Sequence, residues 1–218
     1  MSTPRVCSER IESIPAVGDT VLCTHMAWYS LSNRTKRNDC SHMAKLEIVL
    51  EGDPRLRQKA TRVKHVDDSL RRIAADMHET MDAAPGVGLA GPQIGLMRRI
   101  VVVHVPKDDE EDQEEVRLTL IDPEIVKAHG KVYGQEGCLS IPRWVGDVPR
   151  AETVTVKAID LDNKHIRLKA SGFLARVIQH EVDHLDGILF VDRVEDRSTL
   201  FEVTEEELSK DEYATIAE

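Results

Sequence analysis

The chain has 218 residues, 41% of them hydrophobic and 31% charged, which is long enough for one domain with a packed core and too apolar for a wholly disordered chain. No run approaches the roughly eighteen apolar residues of a membrane span, and the N-terminus has no signal-peptide core, so the expectation is a cytoplasmic protein away from membranes. Twenty-nine Lys and Arg against 39 Asp and Glu give a net charge of -10, which opposes general attraction to DNA or other phosphate backbones.

Residues 1–44 carry scattered apolar residues and no clear period. They read as an N-terminal extension, poorly ordered or outside the native protein, with Met43 an alternative start. From Lys45 the pattern sharpens. Leu46–Leu50 suggests a short strand, and Asp53-Pro54 can open a helical turn over Arg55–Ala60. Asp67 or Asp68 can cap a helix with Leu70, Ile73, Met77 and Met81 on its inner face, ending near Pro85-Gly86. A glycine-rich loop follows, then strand candidates Arg99–Val105 and Arg117–Ile121 flanking an acidic run, Asp108–Glu115, that suits a solvated hairpin tip. Val154, Val156 and Ala158 alternate with polar residues, Asp162-Asn163 makes a turn, and Ile166 and Leu168 resume the alternation, which predicts a hairpin. A helix is expected from Ser171 to Asp186, stopped by Gly187, and residues 196–218 form an acidic tail. Strands followed by one strongly patterned helix indicate an α+β fold with mixed or antiparallel strands packed around that helix.

The helix contains His180-Glu181-Val182-Asp183-His184, an H-E-x-x-H pattern. Four residues apart on a helix are neighbours on one face, so both imidazoles can reach one metal ion. Glu181 is rotated round by one residue, close enough to handle a proton on a water at that ion. The bland alternative is two surface histidines. Against it, Phe173, Val177, His180 and His184 are spaced 4, 3 and 4, so the histidines continue the buried stripe, where unpaired imidazoles are costly. A catalytic site needs a third protein ligand. Phe190 stands where a third histidine of the longer H-E-x-x-H-x-x-G-x-x-H pattern would be, while Glu202, Glu205, Glu206 and Cys138 remain as candidates.

Three segments, Gly86-Val87-Gly88-Leu89-Ala90-Gly91-Pro92-Gln93, Glu136-Gly137-Cys138-Leu139-Ser140 and Gln179-His180-Glu181-Val182-Asp183-His184-Leu185, together resemble the three signature motifs of the peptide deformylases, in order and at similar separations. The resemblance covers about Lys45 to Glu195, a catalytic domain of 45–195. It departs at Gly91, where the family usually has alanine, and a looser loop is expected there. The resemblance implies Cys138, His180 and His184 as ligands of one divalent metal ion, Fe2+ first, with Zn2+ or Ni2+ able to replace it. It implies Glu181 as proton carrier, and Gln93 with the backbone N–H of Leu139 as donors to the developing oxyanion. Gly86, Val87, Gly88, Glu136 and Gly137 would line the bound peptide, with Glu136 also pairing with Arg150 to brace the cysteine strand. The implied substrates are N-formylmethionyl nascent peptides, with formate released and transient ribosome association. The acidic tail differs from the basic C-terminal helix through which some relatives are thought to approach the ribosome. Two other readings fit the motif: a zinc endopeptidase using a downstream glutamate, and an inactive module that binds nascent chains.

Overall fold

The computed structural model describes residues 45–84, 86–107 and 114–204. The expected extension over 1–44, most of the acidic tip and the tail from 205 onward lie outside these residues.

Helix α1 (Asp68–Ala83) begins where the carboxylate of Asp67 accepts from the Leu70 N–H at 2.8 Å. Leu70, Ala74, Met77 and Met81 recur at helical spacing and are buried, while Ile73 is half-buried. The five-stranded antiparallel sheet has the order β1-β2-β3-β6-β7, comprising β1 (Gly88–Ala90), β2 (Ile100–Val105), β3 (Val116–His129), β6 (Thr153–Ile159) and β7 (His165–Ser171). Residues 100–103 of β2 read as a continuous apolar run because both faces are covered there. Ile100 and Val102 meet α1, whereas Val101, Val103 and Val105 join the apolar face of α2 (Gly172–Leu185) through Ala175, Val177, Ile178, Val182 and Leu185.

The second sheet has the order β4-β5-β8, from β4 (Val132–Cys138), β5 (Ile141–Arg150) and β8 (Phe201–Glu202). Its small core contains Ile141 and Val148 with Leu56, Leu189, Phe190 and Val194. Just past the end of α2, Gly187 has a φ of +74° and donates its N–H to His184 O, which closes the helix in the left-handed region that glycine adopts without strain.

Several elements differ from the sequence expectation, each for a local reason. Leu46–Leu50 forms no strand. It lies along loops rather than beside one partner strand, and Val49 and Glu51 donate to Gln93 O and Ser140 O at 2.7 and 2.8 Å. The turn after Asp53 is a 3₁₀ segment that closes at Arg57. β3 runs past Ile121 through Pro123, and the register shift between Ile121 and Glu124 is where a residue without an N–H can sit in the ladder. β4 and β5, rich in glycine and proline, were not anticipated as a hairpin. Among residues 196–204, Arg197–Thr199 forms a 3₁₀ turn and Phe201–Glu202 pairs with β5. No helix among the described residues is long and apolar enough to cross a membrane.

Candidate active site

α2 carries His180 and His184 one turn apart, and β4 ends at Cys138, so two distant segments supply the three donors. Cys138 Sγ, His180 and His184 ligand atoms all lie within 4.8 Å of one another. Cys138 Sγ is 3.2 Å from His184 Nε2, which is 3.2 Å from His180 Nε2. Three atoms able to act as metal donors face one another here. One sulfur and two imidazole nitrogens at these separations fit a single divalent ion with metal–nitrogen bonds of about 2.1 Å.

The orientation of His180 is set from behind. Its Nδ1 is 2.9 Å from Glu136 Oε2, and Arg150 grips the same carboxylate with Nε to Oε1 at 2.8 Å and Nη2 to Oε2 at 2.9 Å. Burial alone would push Glu136 up, but the bonds from Arg150 and His180 outweigh it and hold its carboxyl far below the usual carboxylate range. Arg150 continues to Asp183 Oδ2 at 2.5 Å, and Arg193 binds the two Asp183 oxygens at 3.0 and 2.7 Å. The expected Glu136–Arg150 pair is therefore present. Glu136 is itself buried, with both oxygens occupied by Arg150, Arg176 and His180.

Gln93 sits under the sulfur. Its Oε1 accepts from the Ala90 N–H at 2.7 Å, which turns the amide so that Nε2 lies 3.6 Å from Cys138 Sγ. Leu139 follows Cys138 at the tip of the β4–β5 hairpin, and a Cβ built on Gly86 would lie 2.8 Å from Leu139 Cδ1. The first and second motifs thus meet. Val87 O accepts from the His104 N–H at 2.9 Å, which carries the β1–β2 pairing back toward Gly86. Gly88 borders Glu181, and Gly137 lies on β4 beside Cys138. Glu181 is buried and its Oε2 has no hydrogen-bond partner among the described residues. Burial, and to a smaller extent the negative Glu136, raise its pKa to about 7 against the opposing charges of His180 and Arg150. Gly91 does not mark a loose loop. A Cβ there would lie 2.4 Å from Arg98 O and 2.7 Å from Leu96 O, so this backbone is folded too closely for alanine.

The polypeptide deformylase family model matches residues 45–199. This chain belongs to the peptide deformylase family. It is 59% identical over 174 residues to a peptide deformylase of Thermomicrobium roseum, covering 79% of this chain and 99% of that one. A Symbiobacterium thermophilum relative is 50% identical over 176 residues, covering 81% and 77%. Among solved structures, a class I type b peptide deformylase from Acinetobacter baumannii with Met-Ala-Ser bound superposes with a TM-score of 0.65 at 37% identity, over 70% of this chain and 99% of that one. One from Legionella pneumophila gives 0.63 at 43% identity, over 70% and 87%. Peptide deformylases are metal-dependent enzymes that remove the formyl group from N-formylmethionyl peptides, and this is the activity of the family to which the chain belongs.

Sequence reasoning missed two arginines of the buried network behind His180, Arg176 and Arg193, and passed over Asp183, which accepts from Arg150 and Arg193. Arg176 precedes His180 by four residues and Asp183 follows it by three, so both share its face of α2. That spacing was legible, but their partners come from other segments: Arg176 meets Glu136 of β4, and Asp183 accepts from Arg150 of β5 and from Arg193.

Proposed function

We propose that Cys138, His180 and His184 hold one divalent ion, ferrous iron in the native protein, and that this site hydrolyses the formyl amide of N-formylmethionyl peptides. The supporting observation is the convergence of one thiol and two imidazoles within 4.8 Å, with the Gln93 amide at 3.6 Å from the sulfur. Thiolate and imidazole suit iron, zinc and nickel alike, so the seat also takes Zn2+ or Ni2+. When bound, the ion supplies Lewis acidity, polarising the formyl carbonyl and making water nucleophilic near neutral pH.

The residues of the chain do the remaining work. Glu181, raised to about 7, accepts the proton from the attacking water and passes it to the leaving amine nitrogen, so formate and a free N-terminal amine result. Its burial, and an Oε2 without a partner among the described residues, keep that carboxylate available for both transfers. Gln93 Nε2 and the Leu139 N–H donate to the oxygen as negative charge develops, and the Ala90 N–H keeps the Gln93 amide turned the required way. The peptide lies along Gly86–Gly88 as an added strand, since β1 is the edge of the five-stranded sheet, with Gly137 bordering the other side. Methionine heads the peptide bound by the A. baumannii relative, which is the residue deformylation leaves exposed.

Among the described residues the endopeptidase alternative finds no downstream glutamate ligand. Glu202 lies on β8 with its carboxylate 3.0 Å from Arg143 Nη2, outside the donor group, and Glu205 and Glu206 lie outside the described residues. The deciding assay is formate release from formyl-Met-Ala-Ser by anaerobically purified, iron-loaded protein, with metal analysis of Cys138→Ser. Release by wild type and loss of iron from the variant are expected. No release from a fully loaded sample would favour the nascent-chain-binding module, and unchanged metal in Cys138→Ser would remove cysteine from the seat.

A further inference from the structure

Glu136 is held from two successive turns of one helix. Arg176 and His180 are four residues apart on α2, and Arg176 Nη1 lies 2.9 Å from Glu136 Oε1 while His180 Nδ1 lies 2.9 Å from Oε2. The same guanidinium nitrogen donates to Gly134 O at 3.1 Å and Val148 O at 2.9 Å, and Nη2 donates to Val132 O at 3.2 Å. Arg176 thereby touches both strands of the hairpin that ends in Cys138. It also fixes the carboxylate behind His180.

Position 134 is built for this contact. A Cβ on Gly134 would lie 2.8 Å from Arg176 Nη2 and 3.0 Å from Cζ, so a side chain there would force the guanidinium off the strand. The arginine stem crosses from helix to hairpin with only 12% of its side chain exposed, which is uncommon for a residue that merely meets solvent. Arg150 holds Glu136 independently and looks toward Asp183, so its grip does not substitute for the helix-to-hairpin tie.

We propose that Arg176 is a positioning residue for the metal seat: it locks the β4–β5 hairpin bearing Cys138 to the α2 face bearing His180 and His184, and holds the Glu136 carboxylate in line with His180 Nδ1. This rests on the reading of Cys138, His180 and His184 as the metal ligands. Partners that orient a ligating histidine typically change metal affinity by about 10- to 100-fold when removed.

The test uses the full chain, with zinc affinity read by competition against a chromophoric chelator and the visible absorption of the cobalt form as a report on ligand geometry. Arg176→Gln should bind zinc about 10-fold or more weakly and change the cobalt spectrum. Arg176→Lys should recover part of the loss, because an ammonium can reach Glu136 but cannot also span the strand carbonyls. Gly134→Ala should reproduce a smaller loss with every charge in place. Affinity measured on folded molecules does not follow overall stability, so a purely structural arginine would leave it unmoved. If Arg176→Gln does not fold, Gly134→Ala decides alone. Zinc binding and cobalt spectra like wild type in the folded variants overturn the proposal. Wild-type protein that binds no metal, or Cys138→Ser that binds as wild type does, fails the metal-seat reading itself and carries this inference down with it.

Discussion

The space that the carboxyl group of Glu181 occupies exists because Gly88 has no side chain: a Cβ at position 88 would lie 2.3 Å from Glu181 Oε1 and 2.7 Å from its Cδ. The loop proposed to line the peptide and the helix that carries Glu181 are fitted to each other at this one point. Gly88→Ala should therefore displace the carboxyl while leaving Cys138, His180 and His184 in place. The expected result is a fall in kcat of about 100-fold, within the range a positioned acid–base group supplies, with metal content unchanged. Steady-state formate release beside metal analysis checks it, and a full-rate Gly88→Ala would detach Glu181 from the reaction.

Gln93 is predicted to act through one correctly turned amide. Gln93→Leu removes the donor near the sulfur and should cost about 3 kcal/mol of transition-state stabilisation, seen as a loss of roughly 100-fold in kcat. It also strips the Ala90 N–H of its acceptor, so a drop in melting temperature should accompany it. A variant that lost stability yet kept its kcat would confine Gln93 to a structural role.

His78 provides a pH-dependent stability. Burial first, then the positive Arg117, depress its pKa from 6.5 to about 4, while its Nε2 lies 3.0 Å from Thr119 Oγ1 and its Nδ1 has no partner among the described residues. The folded protein thus disfavours the charged ring. The neutral state's advantage is complete above pH 6.5, and it is lost as pH falls through that value toward 4, where the unfolded chain binds the proton more readily. After discounting for the half-exposed ring, about 2 kcal/mol should disappear between pH 7 and 4. Urea unfolding of wild type and His78→Gln at each pH isolates this contribution, because carboxylates common to both cancel. A constant difference between the two would show that the ring is not held neutral.

Gly187 ends α2 with φ of +74° and lies against the backbone of Arg57, where an added Cβ would come within 2.6 Å of the carbonyl oxygen. Gly187→Ala combines strain at a left-handed position with a clash that no side-chain rotation relieves, so a loss of about 2 kcal/mol or more is expected. Thermal unfolding should show it as a fall of several degrees. Metal affinity should stay near wild type in the folded fraction, since none of the three donors moves.

Local and repeating features were readable from residues alone. The 3.6-residue spacing of Leu70, Met77 and Met81, the capping Asp67 and the alternation through Val154, Val156 and Ala158 each reflect a neighbour along the same element. The i, i+4 histidines are of the same kind, because helix geometry alone places His180 and His184 on one face. The β4–β5 hairpin was hidden: Gly134, Gly137, Gly146 and Pro149 carry turn chemistry, and only the cross-strand pairing of β4 with β5 makes them strands. Arg176 carries no signal of its own in the sequence, because its partner Glu136 comes from another element.

The amino-acid sequence by itself determined the α+β class, the two helices, the H-E-x-x-H face and the order of three motifs whose resemblance named the family. Only the tertiary structure decided that Glu136 stands behind His180 with its oxygens occupied by two arginines and an imidazole, that Gly91 is tightly fitted, and that Leu46–Leu50 spans loops instead of joining a sheet. The physical reason is the range of the forces involved. Periodicity and capping act within a few residues of chain, whereas the partners of a buried charge and the room beside a glycine depend on which distant segments the core brings together.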